Sequence, residues 1–226
     1  VSGFGLVDLR ELRALFRARR RDGYIALFTA ASTLFIGIQE GILLGIGASI
    51  ITVLYRISRP NAVELGHVHG TRQFRELGRF PQSVRLDEIL LLRVDAAFSF
   101  ANADFFSSFI LEHSTQQERP VKAVIVDGSS INDLDTTAIE ALITIAERLE
   151  EDGIELHMTG LIGPVRETVR RSPLHAVLGE ERFHLNPHQA VASILDRLDT
   201  EADTDRLEQY LETTGPDHSQ PTPTAT

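Results

Sequence analysis

The side chains able to do chemistry gather in one short stretch, Asp127-Gly128-Ser129-Ser130-Ile131-Asn132-Asp133-Leu134-Asp135-Thr136-Thr137. Carboxylates here could hold a cation, hydroxyls could accept a phosphoryl group, and the loop as a whole could meet a partner. Asp127, Asp133 and Asp135 do not follow the liganding pattern of a calcium loop. Turns in which Asp and Asn bond their own backbone account for them with less machinery, so no metal is expected. Thr136 and Thr137 stand where a helix should begin. There, unpaired N–H groups and the positive dipole end favour an added phosphate or a partner's carboxylate. Capping competes with that use: Asp135 reads as an N-cap, and Thr137 with Glu140 fits a capping box shifted along the chain. Elsewhere the search for catalytic groupings is negative. The sequence has no Gly-x-Ser-x-Gly, phosphate-loop, His-Glu-x-x-His or Gly-x-Gly-x-x-Gly pattern, and no cofactor is expected. His67 and His69 would share one face of a strand, but no third ligand is near in sequence, so both are expected to be exposed rather than metal-binding.

The loop needs a strand before it and a helix after it, and the sequence supplies both. Val121 to Val126 runs apolar without alternation, as in a parallel strand buried on both faces. From Asp135 the period becomes helical, with Ala138, Leu142, Ile145 and Leu149 on one face and Ile139, Ile143 and Ala146 beside them. Gly153 stops that helix, and Ile154 to Thr159 reads as the next strand. The stretch is therefore a β-α-β unit whose loop lies at the carboxyl end of a central strand. Before it, Ala62 to His67, Asp87 to Val94 and Phe98 to Phe100 read as strands. Asn102 caps a helix faced by Phe105, Phe106, Phe109 and Ile110. After it, Gly163-Pro164 opens a helix over Val165 to Arg171, and Ser172-Pro173 breaks it before Leu174 to Leu178. Arg166, Arg170 and Arg171 form a basic face, read first as solvated and second as a meeting place for acidic headgroups. Asn186-Pro187 opens a last helix with Ala190, Ile194, Leu195 and Leu198 inside. Beyond Asp199 the chain is acidic and has little left to bury. Disorder is expected over 201–226, with at most a transient helix near Arg206 to Leu211.

A net charge of -10 argues against nucleic acid, which would call for clustered cations. The absence of cysteine excludes disulfides and thiol chemistry. The average composition conceals an apolar front. From Tyr24 to Tyr55 the only charged residue is Glu40. A straight helix over that run would be roughly 48 Å long, against a hydrocarbon core of about 30 Å. The centre, Gly37 to Gly41, holds helix-weakening glycines and Glu40, so a break is expected there. Two helices of about Gly23 to Ile36 and Gln39 to Tyr55 would result, each too short to span comfortably unless packed against other protein. Arginines on both sides, at 17 to 21 and at Arg56 and Arg59, suit a hairpin with both ends cytoplasmic. Gly37, Gly41, Gly45, Gly47 and Ala48 offer a small-residue face for helix contact. The chain starts at Val1 rather than Met, which suggests a fragment or a processed chain.

VDGSSINDLDTTAIEAL resembles the loop signature of a STAS domain, the module shared by bacterial anti-sigma-factor antagonists and the tails of SulP-family anion transporters. RRDGYIALFTAASTLFIGIQEGILLGIGASIITVLYRISRPNAVELG is similar to the end of the SulP membrane domain, with Arg56, Pro60, Leu65 and Gly66 in place. EILLLRVDAAFSFANADFFSSFI resembles the family's strand, short strand and first helix around Phe100, Ala101, Asn102 and Ala103. The resemblance implies an α/β STAS domain with a mixed, largely parallel central sheet and helices packed on it, preceded by a transmembrane or re-entrant helical hairpin. It divides the chain into the end of a membrane domain (1–59, hairpin 23–55), a cytoplasmic STAS domain (60–200) and a tail (201–226). The antagonists' phosphorylatable serine falls on Thr137. Asp127, Ser129, Ser130, Asp133, Asp135, Thr136 and Thr137 then form the regulatory or interaction loop.

By the same resemblance the whole protein would carry sulfate or a related anion across a cell (inner) membrane as a multi-pass, non-enzymatic transporter. Its partners would be the bilayer, the rest of the membrane domain, a second copy in a homodimer, and a cytosolic protein or nucleotide at the loop. A membrane-tethered STAS switch without transport is the alternative.

Overall fold

The computed structural model describes residues 17, 20–86, 88–115, 120–202 and 206–214. The chain divides into two units, Val1–Ser58 and Arg59–Thr226.

The first unit is a pair of helices, α1 (Arg20–Phe35) and α2 (Ile38–Ser58), packed against each other. The break falls at Ile36–Gly37, one step earlier than glycine content alone predicts. Gly37 turns the chain at φ +146°, a conformation that L side chains rarely adopt. Gly41 does not break the helix. A Cβ there would lie 2.6 Å from the Thr33 Cα, and one at Gly45 would lie 2.7 Å from the Thr29 Cγ2. Both glycines let the two backbones approach. Thr29 and Thr33 send their hydroxyls to carbonyls one turn back, at 2.9 Å each, and so satisfy themselves in an apolar setting.

The first helix is short, as expected, whereas the second runs past the expected Gln39 to Tyr55. With 21 residues, α2 is long and apolar enough to cross a membrane, while Gly23–Phe35 is a shorter apolar segment. Glu40 sits in the first turn of α2, beside the hairpin tip, as the expected break implies. Leu34, Phe35, Ile38, Leu43 and Ile51 are all more than half exposed on this unit. Of the arginines expected before the hairpin at 17 to 21, Arg19 lies outside the described residues.

The second unit is built on one seven-stranded sheet. Its strands are β1 (Ala62–Val68), β2 (Phe74–Glu76), β3 (Ser83–Val84), β4 (Ile89–Val94), β5 (Ala123–Asp127), β6 (Glu155–Thr159) and β7 (Phe183–His184). The order is β2-β1-β4-β5-β6-β7, with β3 also on β1. β4 through β7 pair in parallel, and β1 pairs antiparallel with β2, β3 and β4.

Alternate residues of the central strands feed two cores. Val124 and Val126 join Leu90, Leu92, Leu156 and Met158 beneath α3 (Ala103–Thr115), α4 (Thr136–Glu151), α5 (Gly163–Arg171) and α6 (Pro173–Leu178). Ala123 and Ile125 join Leu65, Ile89 and Leu91 beneath α7 (Pro187–Ala202) and α8 (Arg206–Thr213). Burial on both faces is why β5 reads as an unbroken apolar run. Gly153 ends α4 at φ +71°. The Gly153 N–H reaches the Glu150 carbonyl at 3.0 Å and the Ile154 N–H reaches that of Leu149 at 2.8 Å, so the last turn is closed as a Schellman motif.

Three expectations are corrected here. Phe98 to Phe100 is not a strand: Phe98 makes a single parallel bridge to Leu134, and the residues after it turn toward α3. His67 is buried on β1, with Nε2 at 2.6 Å from the Thr71 carbonyl, while His69 lies in the following turn and is exposed. The segment Arg206–Thr213 is a docked helix rather than a transient one, because Tyr210 is 5% exposed in the second core. The remaining tail, 215–226, and the start of the β4 region at Asp87 lie outside the described residues.

Candidate functional site

Each parallel strand of the sheet delivers its loop to the same edge, and the Asp127–Thr137 loop occupies the centre of that edge. Asp127, the last residue of β5, is buried, and its Oδ1 accepts the Ser129 N–H at 3.1 Å. Gly128 is pressed against β6. Its N–H reaches the Thr159 carbonyl at 2.8 Å, and a Cβ would lie 3.1 Å from that same oxygen. The Ser130 hydroxyl donates to Asp95 Oδ1 at 3.1 Å. Asp95 in turn pairs with Arg93 at 2.9 Å and accepts the Asn61 amide at 2.9 Å, so the loop is tied to β1 and β4 as well.

The far end of the loop is held by Asp135. Its Oδ1 accepts the Ala138 N–H at 2.8 Å and caps α4, and its Oδ2 accepts the Phe100 N–H at 2.8 Å. Phe98 and Asp133 add a backbone bond of 3.0 Å, and Asp133 Oδ1 accepts the Leu134 N–H at 3.0 Å. Below this junction the Phe98 and Phe106 rings stack at 3.8 Å, both fully buried. Asn102 braces the turn, accepting the Ser99 N–H and donating to the Ala97 carbonyl.

The seven loop residues named from the sequence therefore divide by task. Asp127, Ser130 and Asp135 hold the loop's shape through the bonds above. Ser129, Asp133, Thr136 and Thr137 are exposed, and the two threonines stand on the first turn of α4. The carboxylates of Asp127, Asp133 and Asp135 each receive a backbone N–H, and among the described residues no group of three or more acidic or histidine side chains is placed to hold a metal. Phe100 was not singled out as a surface feature. It is 77% exposed beside the Asp135 carboxylate, and an aromatic next to an apolar Phe-rich helix gives no sign in sequence that it will face out.

Sequence reading also missed a polar cluster under β6. His157 is fully buried, with Nε2 3.1 Å from Glu155 and Nδ1 3.1 Å from His184 Nε2. Arg197 of α7 grips both oxygens of Glu155, at 3.1 and 2.6 Å. Burial pulls the His157 pKa down to about 4, overriding the neighbouring carboxylate. Burial and the nearby Arg197 charge lower His184 as well. Burial alone would raise Glu155, but its bonds to His157 and Arg197 prevail and lower it. A neutral His157 that donates to Glu155 and accepts from His184 satisfies both ring nitrogens. The alternation Glu155-x-His157 was the available signal, since two polar side chains on one face of an otherwise apolar strand need partners.

Residues 80–192 match the STAS domain family model, and these span half of the chain. The chain belongs to the STAS-domain family. Among curated relatives, the probable sulfate transporter 3.4 of Arabidopsis thaliana is 26% identical over 198 residues, covering 84% of this chain and 30% of the relative. The probable sulfate transporter Rv1739c of Mycobacterium tuberculosis (strain ATCC 25618 / H37Rv) is 31% identical over 192 residues, covering 85% and 34%. These shares of the chain exceed what residues 59–226 could supply, so the likeness runs into the apolar hairpin. The chain spans about a third of the length of the curated relatives it matches. The structure of the murine solute carrier 26 family member A9 anion transporter, in its inward-facing state, superposes with a TM-score of 0.71 at 17% identity. It covers 81% of this chain and 30% of that one, and the likeness is one of fold.

Proposed function

We propose that the chain is the carboxyl-terminal portion of a secondary active anion transporter of the sulfate type. In this reading residues 1–59 close the membrane domain, residues 60–200 form a cytoplasmic STAS domain, and the tail follows. The hairpin lies in a cell (inner) membrane, and the protein is not an enzyme. The observation that carries the proposal is the joint one: an apolar helix pair with large side chains turned outward, in a chain whose similarity to named sulfate transporters runs through both units.

Bilayer and the remaining membrane helices would cover that apolar surface. The STAS domain would serve folding, regulation and association, including a homodimer. Its partner-facing loop presents Ser129, Asp133, Thr136 and Thr137, with Thr137 as the phospho-acceptor. Deleting residues 63–226 from the intact protein tests this. Transport or surface expression should fall while the order of preference among anions is kept; a changed preference would place the selectivity in this domain and overturn the reading.

A further inference from the structure

On the α5–α6 side of the sheet the fold leaves a cleft of about 270 Å³. Its floor is apolar, made by Met158 of β6, Leu161, Val169 of α5 and Phe183 of β7. Its rim carries the guanidinium groups of Arg166 and Arg170, with the imidazoles of His175 and His184 and one carboxylate, Glu180, beside them. Concentrated positive charge is unusual in a chain whose net charge is -10. Two structural features bring it about. Arg166 and Arg170 are one helical turn apart and so share a face of α5, next to the stripe where Val165 and Val169 are buried. Arg166 is then steadied by one bond of 3.0 Å from Nη2 to the Leu161 carbonyl at the cleft floor.

We infer that this cleft is a binding site for a small organic anion, with a carboxylate or phosphate head on a short apolar body. The volume lies just under the range of drug-sized pockets, which fits a molecule of roughly ten non-hydrogen atoms. An apolar floor favours a ligand body over water, and guanidinium forks on the rim favour a planar or tetrahedral oxyanion. The rim is free to respond. Arg170 has only a loose ion pair with Glu167, at 3.8 Å and largely exposed, which costs little to give up. His175 is held at 2.6 Å by Glu180, which is 83% exposed at the mouth, so an entering anion can take the carboxylate's place. The inference stands whether or not the chain belongs to a transporter.

The test is calorimetric titration of the full chain in lipid nanodiscs with benzoate, phenyl phosphate, benzyl alcohol and inorganic sulfate. Benzoate or phenyl phosphate should bind with Kd of about a millimolar or below, as ligand efficiency allows for molecules of this size. The tighter of the two identifies the head group. Benzyl alcohol lacks the charge and sulfate lacks the body, and each should bind at least about tenfold more weakly. Arg170→Gln, an exposed change, and Arg166→Gln should each weaken the anion and leave benzyl alcohol unchanged. Circular dichroism melting of Arg170→Gln verifies that the fold persists. Equal binding of benzoate and benzyl alcohol, sulfate as tight as the organic anions, no heat from either anion at about ten times the expected Kd, or an unaltered affinity in Arg170→Gln would each overturn the assignment.

Discussion

The carboxylate of Asp135 accepts a hydrogen bond of 2.8 Å from the backbone N–H of Phe100, a residue 35 positions earlier. The same side chain caps α4 with its other oxygen. One residue thus joins the turn before α3 to the loop before α4 and fixes the edge of the sheet from which Thr136 and Thr137 project. Asp135→Ala removes both bonds and leaves the Phe100 N–H to water. The expected loss is about 1–3 kcal/mol of stability, and Asp135→Asn should keep most of it. Chemical denaturation of the full chain in detergent micelles measures both. A change below about 0.5 kcal/mol in Asp135→Ala would mean that neither bond matters in solution.

At Thr137 the expectation differs in sign. Its side chain is exposed on the first turn of α4, where the dipole favours negative charge. Thr137→Glu should stabilise by about 0.3–1 kcal/mol and Thr137→Ala should stay within about 0.5 kcal/mol of the parent. The measurement is the unfolding midpoint at low salt, repeated at high salt, where the gain should shrink. If the Glu variant binds a candidate partner no differently from the Ala variant, the loop's regulatory role is removed even where the stability shift is seen.

Acid should weaken the STAS unit through His157. Burial pulls its pKa in the folded chain down to about 4 from the ordinary 6.5, so between those values the unfolded chain binds the extra proton. Stability from this group is complete above about pH 6.5 and is lost as pH falls toward 4. A full shift of that size corresponds to roughly 3 kcal/mol. His67 and His184, lowered mainly by burial, act in the same direction. Glu155, also lowered, adds a loss at lower pH, below the usual glutamate range. His157→Gln cannot take the proton, so its midpoint between pH 6.5 and 4 should fall less than the parent's. Parallel curves for parent and variant would exclude His157 as the source.

How legible each element was depended on the range of the contacts that define it. The β5–α4–β6 unit was readable because its cues are local: a non-alternating apolar run, Asx turns, a 3.6 period and a glycine stop. Within the candidate loop, Asp135 as a cap was equally local, whereas its bond to Phe100 was not visible. Phe98 looked like a strand by composition, yet its one bridge among the described residues is to Leu134, a pairing that local pattern does not encode. Glycines posed a different ambiguity. Gly37 and Gly41 count alike as helix weakeners, and only the position of Thr33 reveals that the first turns the chain while the second admits a neighbouring helix. Tyr210 was lost in an acidic stretch because the slot that buries it is assembled from His67 and His188, far away in sequence.

That slot can be tested. Tyr210 packs its ring at 5.3 Å from that of His67 and meets His188 Nδ1 through its hydroxyl at 2.8 Å. Tyr210→Ala should cost about 3–5 kcal/mol if the helix is fully docked, whereas Tyr210→Phe should cost about 1 kcal/mol. Hydrogen exchange of Arg206–Thr213 separates a local effect from a global one. Fast exchange there in the parent protein would return the segment to the status of a transient helix.

The hairpin offers a contrast between two glycines only six positions apart. A side chain at Gly41 collides with the Thr33 backbone, whereas one at Gly47 meets nothing within 4 Å. Gly41→Val must therefore push α1 and α2 apart or distort one of them, a cost of about 1–3 kcal/mol for overpacking and more where backbone cannot yield. Gly47→Val adds apolar surface on an open face and a residue with lower conformational freedom than glycine, so it should be tolerated. The chain contains no cysteine, which makes paired cysteine substitutions a clean reporter of the helix contact. Thr29→Cys with Gly45→Cys should crosslink in membranes in the Gly47→Val background and poorly in the Gly41→Val background. Equal crosslinking in both would show that the two helices do not meet along the Gly41–Gly45 face.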